Sequence, residues 1–195
     1  MSQPAPAPMT VDEYYAWGEL QEDRYELVDG FPVRMMSGAS RRHDQIVINL
    51  LGELRNCLRG TACRPFTADT AVATTARQRR RPDAGVECGE LRDADYVAND
   101  PRAVVEVLSP STRLFDLLGK LDEYRAVASL REIVVIEPDA PEARVWSRDE
   151  AGEWRGREVE GLDAALELAS LGITLPLREV YEGLDFRPRP QLVTG

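Results

Sequence analysis

The sequence predicts a mixed α/β (α+β) domain, and three observations carry that prediction. Ala103-Val104-Val105-Glu106-Val107-Leu108 and Ile133-Val134-Val135-Ile136 read as strands with apolar residues on both faces, which belong in the middle of a sheet covered on both sides. Residues 43–59 and 113–127 carry apolar residues at helical spacing, the mark of helices that cover such a sheet. Turn signals at Asp29-Gly30 and at residues 149–152 predict hairpins towards the two ends of the chain. A length of 195 residues and a mass of 21.8 kDa suit one domain with a substantial core.

Residues 1–8 alternate Pro and Ala and predict a disordered leader before a single domain over 9–184. Thr10 and Glu13 form a capping box that opens a short helix through about Leu20. Residues 24–28 and 31–36 flank Asp29-Gly30 as strands. Ser37-Gly38-Ala39-Ser40 is a turn able to cap the next helix. In that helix Val47, Leu50, Leu51, Leu54 and Leu58 form the buried stripe, His43 lies on the same face in the first turn, and Gly60 ends it. Short strands are expected at 62–67 and 70–75, then an arginine-rich loop at 77–81, and a strand from Asp83 to Cys88. After the Glu106 strand, Ser109-Pro110-Ser111-Thr112 can cap a helix buried through Leu114, Leu117, Leu118, Leu121 and Tyr124. The remaining chain predicts strands at 133–136, 143–147, 154–159, 166–168 and 171–175, a short helix from Pro176, and a disordered tail over 185–195.

Composition narrows the function classes. The net charge of −10 argues against a protein that coats DNA, while leaving room for a local basic groove. Arg77, Arg79, Arg80 and Arg81 supply four positive charges with no negative one among them. No apolar run is long enough to span a membrane, and MSQPAPAPMT lacks the features of a secretory signal, so a cytoplasmic setting is expected. Three cysteines, Cys57, Cys63 and Cys88, are an odd number without CxxC spacing and read as small core residues, with neither a disulfide framework nor a zinc site. Of the 24 Lys+Arg residues, Lys120 is the only lysine, and His43 is the only histidine. Arginine replaces lysine in most surface roles but cannot give up its proton near neutral pH, so a solitary lysine draws attention.

Glu106 is the residue that folding alone would not choose, because a carboxylate in a strand buried on both sides needs a cation or a proton. Asp83 lies 23 positions earlier (106 − 83) at the start of another predicted strand, and Lys120 lies on the following helix. If the two strands pair, both carboxylates can reach one cation, and hard carboxylate oxygens suit Mg²⁺ or Mn²⁺. Such an arrangement supports phosphodiester hydrolysis, with a lysine to orient or deprotonate the attacking water.

Acidic residues spaced in this way about a hairpin resemble the PD-(D/E)xK nuclease superfamily, with its restriction-endonuclease-like fold. A closer resemblance, to the Uma-two family of bacterial restriction endonucleases, rests on Met9-Thr10-Val11-Asp12-Glu13-Tyr14, Tyr25-Glu26-Leu27-Val28-Asp29-Gly30 and Met36-Ser37-Gly38-Ala39-Ser40 with His43. It continues through Arg81-Pro82-Asp83, Val104-Val105-Glu106-Val107-Leu108-Ser109-Pro110-Ser111-Thr112, Asp116 with Lys120 and Tyr124, and Leu175-Pro176-Leu177. The resemblance implies an αβββαβ core, a mixed central sheet flanked by helices, and extra N-terminal and C-terminal β-hairpins. It also implies Mg²⁺- or Mn²⁺-dependent endonuclease activity on nucleic acid, with DNA the expected partner, and a homodimer. Leu108 stands where the superfamily pattern carries its lysine, and the resemblance moves that role to Lys120. Glu26 becomes a candidate third acid and His43 an accessory residue near the site, while Arg77, Arg79, Arg80 and Arg81 become candidate phosphate contacts.

Plainer readings exist for each residue. Pro82-Asp83 can be an ordinary turn, Lys120 an i, i+4 partner of Asp116, Glu26 a solvent-facing strand residue and the arginine run a solvated loop. A serine or cysteine hydrolase is disfavoured by the lack of a GxSxG elbow, and no nucleotide-binding fingerprint is present. The competing class is a non-catalytic module that keeps the nuclease fold for DNA binding or protein interaction.

Overall fold

The computed structural model describes residues 7–35, 40–92, 95–109 and 115–186, with the side chains of 115–118 excepted. The expectations for the leader before residue 7, the turn at 37–39, the cap at 110–112, the side chains of Leu114, Asp116, Leu117 and Leu118, and the tail from 187 fall outside those residues.

The first helix, α1 (Val11–Gly18), carries the predicted capping box: the Thr10 side chain accepts from the Glu13 N–H while Glu13 reaches back to Thr10. Strands β1 (Tyr25–Val28) and β2 (Phe31–Arg34) form the predicted hairpin. Asp29 and Gly30 turn it with φ of 51° and 84°, the left-handed pair that a two-residue hairpin turn requires. Helix α2 (Arg41–Cys57) starts at Ser40, whose side chain accepts from the His43 N–H. It buries Ile46, Leu50, Leu54 and the following Leu58. The predicted Val47 and Leu51 flank that stripe, and Ile46 replaces them at its centre.

Strands β3 (Cys63–Thr67), β4 (Val72–Thr75), β5 (Gln78–Arg80), β6 (Ala84–Cys88) and β7 (Pro101–Val107) lead to helix α3 (Phe115–Ala126) and β8 (Glu132–Glu137). Then come β9 (Glu142–Arg148), β10 (Trp154–Glu160), β11 (Ala165–Leu168), a 3₁₀ turn, β12 (Ile173–Pro176) and α4 (Leu177–Val180). The succession α2, β3, β6, β7, α3, β8 is the αβββαβ core. Its sheet has the order β10-β9-β8-β7-β6-β3, with the β7–β8 pair parallel and the remaining pairs antiparallel.

One expectation about the N-terminal addition changes. The arginine-rich segment is not a loop: β5 pairs with both β1 and β4, drawing the N-terminal hairpin into a four-stranded sheet of order β2-β1-β5-β4. The predicted C-terminal hairpin forms from β9 and β10 and joins the central sheet, since β9 pairs along the whole of β8.

Alternation along the central strands divides the core in two. Ala103, Val105 and Val107 join Val134, Ile136 and the α2 leucines on one face, which β11, β12 and α4 also cover. Val104 and Ile133 join Leu121, Tyr124 and Leu130 on the other, beneath α3. Glu106 shares the parity of Val104 and therefore faces α3.

The cysteine expectation is overturned. Cys63 and Cys88 form a disulfide, and Cys57 is exposed rather than in the core. The two bonded residues are direct partners in the antiparallel β3–β6 pair. Sequence spacing does not reveal such a relationship, because strand register creates it.

Candidate active site

Asp83 stands immediately before β6. Ala84 pairs with Val105, so one further antiparallel step sets Asp83 opposite Glu106 near the end of β7. Asp83 Oδ2 accepts the Val107 N–H at 2.7 Å, which ties the carboxylate to the neighbouring strand. The same oxygen lies 3.2 Å from His43 Nε2. Because Ser40 caps α2, His43 falls in the first turn and reaches the sheet end from the opposite face to α3. The hydrogen bond with Asp83 raises the His43 pKa and outweighs the lowering by burial.

Glu106 meets α3 on its own face of the sheet. Tyr124 Oη donates to Glu106 Oε1 at 2.8 Å, and the Lys120 ammonium lies 3.6 Å from the same oxygen. The two residues are one helical turn apart, so one stripe of α3 brings both to one carboxylate. Lys120 also lies 3.3 Å from Glu26 Oε1 on β1, and both side chains are largely buried. Burial pushes the Glu106 carboxyl from an ordinary 4.5 up to about 7; Lys120 opposes that rise, while the charges on Asp83 and Glu26 add to it. Burial also holds the Tyr124 phenol well above its ordinary range, so it stays a donor.

The structure thus brings together Asp83, Glu106, Lys120, Glu26 and His43, all named from sequence. Glu26 is buried rather than solvent-facing. The four arginines separate. Arg77 is exposed and leans on the Asp29 carbonyl; Arg79 donates to the Thr75 and Gln78 carbonyls at 3.0 and 2.7 Å. The Arg81 N–H donates to Glu26 Oε1 at 3.0 Å, and its guanidinium donates to the carbonyls of Tyr25, Ala68 and Asp69. Arg80 departs from the expected phosphate contact: it is 7% exposed and bound to Glu26 and Glu123. Glu123 was not foreseen from sequence. Its signal was available, since it lies three positions from Lys120 and so on a neighbouring row of the same helix face.

Among the described residues, no three His, Cys, Asp or Glu side chains form a ready-made metal cage. Two carboxylates are nevertheless a donor set that fits Mg²⁺, which keeps several waters and takes further oxygens from a phosphate. Glu106, buried next to like charges and pushed towards protonation, is the kind of group that a dication would relieve.

An αβββαβ core with acids on adjoining ends of its second and third strands, and a lysine converging on them, defines the restriction-endonuclease-like class. The chain belongs to the Uma2 family, described as "Putative restriction endonuclease", which matches residues 11–178. It is 30% identical over 188 residues to the uncharacterized protein slr1290 of Synechocystis sp., covering 95% of this chain and 98% of that one. A second uncharacterized Synechocystis protein, sll1609, is 24% identical over 169 residues, covering 85% and 95%. The fold is shared with the crystal structure of "a putative nuclease belonging to DUF820" from Anabaena variabilis. The TM-score is 0.70 at 16% identity, covering 89% of this chain and 98% of that chain. The family supports a nuclease. No helix among the described residues is long and apolar enough to cross a membrane.

Proposed function

We propose that the protein is a metal-dependent endonuclease that hydrolyses phosphodiester bonds in DNA. The observation that carries this reading is the approach of the sole lysine, Lys120, to within 3.6 Å of Glu106, the buried acid beside Asp83. Asp83 and Glu106 would hold Mg²⁺ or Mn²⁺. When bound, such an ion polarises the scissile phosphate and stabilises the added negative charge of the transition state.

The chain's own residues have separable tasks in this reading. The Val107 N–H fixes the Asp83 carboxylate, and the Tyr124 hydroxyl fixes that of Glu106. Lys120 orients the attacking water and manages its proton, an action open to an ammonium but not to a guanidinium. Glu26 holds Lys120 through a second ion pair, at 3.3 Å. His43, whose pKa the hydrogen bond with Asp83 raises, is the accessory residue beside the metal position, and its protonated form would add positive charge towards a phosphate. Arg77, Arg79 and Arg81 are the candidates for contacts to the nucleic-acid backbone. Related folds often pair to cut two strands, so the reading includes, by analogy, a homodimer in the cytoplasm.

The test is incubation with plasmid and with single-stranded DNA, in Mg²⁺, Mn²⁺ or chelator, beside Glu106→Ala and Lys120→Ala. Metal-dependent cutting lost in both variants is the expected result. Cutting that both variants retain removes these residues from the site, and tight DNA binding without cutting by any form favours the non-catalytic module. Sedimentation of the free and DNA-bound protein checks the dimer.

A further inference from the structure

Arg80 and Glu123 lie outside the set of residues assigned a chemical step, yet they form the most heavily bonded charged pair among the described residues. Arg80 Nε and Nη2 donate to the two oxygens of Glu123 at 2.7 and 2.6 Å, a fork-to-fork pairing that fixes both planes. Its remaining terminal nitrogen, Nη1, donates to Glu26 Oε2 at 2.9 Å. Glu123 is pinned further by the Thr74 hydroxyl at 3.1 Å and the Gln78 amide at 3.4 Å. Burial alone would lower the Arg80 pKa, but Glu123 and Glu26 outweigh it and hold the cation above its ordinary value.

These contacts close a ring. Starting at α3, the path runs from Glu123 to Arg80, to Glu26, to Lys120, and back to α3 three residues before Glu123. We propose that Arg80 and Glu123 are positioning residues that set the Lys120 ammonium against Glu106 by fixing the plane of the Glu26 carboxylate between them. The kinetic part of this proposal rests on the nuclease reading of the site.

The physical need is specific. Lysine carries a point charge on a flexible four-carbon stem, so its own covalent structure does not fix where the ammonium sits. Two carboxylates bracket it, Glu26 at 3.3 Å and Glu106 at 3.6 Å. A Glu26 side chain that could rotate would carry the lysine with it. Arg80 blocks that rotation by taking Oε2, while Oε1 receives the Arg81 N–H and faces Lys120. Glu123 in turn supplies Arg80 with a second anion in a fixed plane, so that Arg80 does not swing away from Glu26 towards solvent. A plain structural pair tying α3 to the four-stranded sheet would use the same atoms, but its loss would lower stability without touching the lysine.

The solitary lysine makes the distinction measurable, because ¹⁵Nζ-lysine labelling yields one side-chain ammonium signal from the whole chain. The experiment compares wild type with Glu123→Gln and with Arg80→Gln, which removes the fork and leaves Lys120 the only lysine; Arg144→Gln, in an exposed ion pair on β9, serves as control. Each is measured for the Lys120 Nζ resonance, for kcat and KM in Mg²⁺-dependent plasmid cutting, and for melting temperature. The expected result is a displaced or exchange-broadened Nζ resonance in both variants and not in the control. A kcat loss of about tenfold to a hundredfold accompanies it, with KM held within about twofold. An Nζ resonance identical to wild type in both variants overturns the proposal. So does a rate loss that merely tracks a fall in melting temperature. Should the wild type fail to cut any substrate, the nuclease reading fails by itself, and the Nζ resonance still decides whether this pair positions the lysine.

Discussion

On the two parallel strands at the centre of the sheet, Glu106 of β7 and Glu132 of β8 are accommodated in different ways. Glu132, at the start of β8, is 1% exposed and lies on the α2 face. Ser170, on the 3₁₀ turn before β12, supplies both of its assigned partners: its N–H donates to Oε1 at 2.8 Å and its hydroxyl to Oε2. Neutral, directional donors from one residue satisfy that carboxylate locally. Glu106, on the α3 face, draws its partners from side chains instead, with Tyr124 and Lys120 both addressing Oε1. It also lies near Asp83 and Glu26, which press it towards protonation. Burial alone therefore does not mark a functional acid. The informative feature is a largely buried acid among other acids, partnered by a lysine ammonium, because folding stability would select against that cluster.

The largest expected effect separates the two glutamates by activity. Glu106→Gln should reduce Mg²⁺-dependent plasmid cutting by roughly 10³-fold, whereas Glu132→Gln should stay within about twofold of wild type; equal losses would erase the contrast. Lys120→Met comes next, with kcat expected to fall about 10²–10⁴-fold at nearly unchanged KM, as measured by single-turnover and steady-state nicking. Stability should run in the opposite direction. Glu132→Ala strands the Ser170 donors and should cost about 1–3 kcal/mol in urea unfolding. In chelator at pH 8, Glu106→Gln should melt above wild type, because the like-charge repulsion is gone.

The smallest effect is a slope with pH. Glu106 binds its proton more tightly when folded, at about 7 against an ordinary 4.5. Its contribution to stability is therefore complete below about pH 4.5 and is lost as pH rises through about 7. Chelated wild type should lose at most about 1.4 kcal/mol per pH unit across that window from this group. Glu106→Gln should flatten the decline and Glu132→Gln should not. Chemical denaturation at several pH values checks both, and a decline that survives in Glu106→Gln would assign it to other groups.

How much of this was legible in the sequence follows from how local each feature is. The Asp29-Gly30 turn, the Thr10 capping box and the apolar pattern around Glu106 are set within a few residues, and the fold reproduces them. Lys120 was legible because its rarity and its place on α3 could be counted. The partition of the arginine run was not. Gln78-Arg79-Arg80-Arg81 reads as an exposed loop until β5 is known to lie between β1 and β4, which buries Arg80 beside Glu26. The helix position of Glu123 could be read beside Lys120, but its pairing with Arg80 could not, since that partner lies 43 residues away across two elements. The extension of the central sheet by β9 and β10 likewise depends on pairing with β8, which no turn signal specifies.

The Cys63–Cys88 bond has a consequence for how copies of the chain can meet. Strand β3 is the outermost member of the six-stranded sheet, on the side away from β10. A marginal strand is the element most easily traded between identical molecules, leaving one sheet to complete its neighbour's. With Cys63 covalently tied to Cys88 on β6, β3 cannot leave its own sheet to be exchanged. While that bond persists, association between copies has to proceed by surfaces that dock whole, not by a strand swapped across this edge.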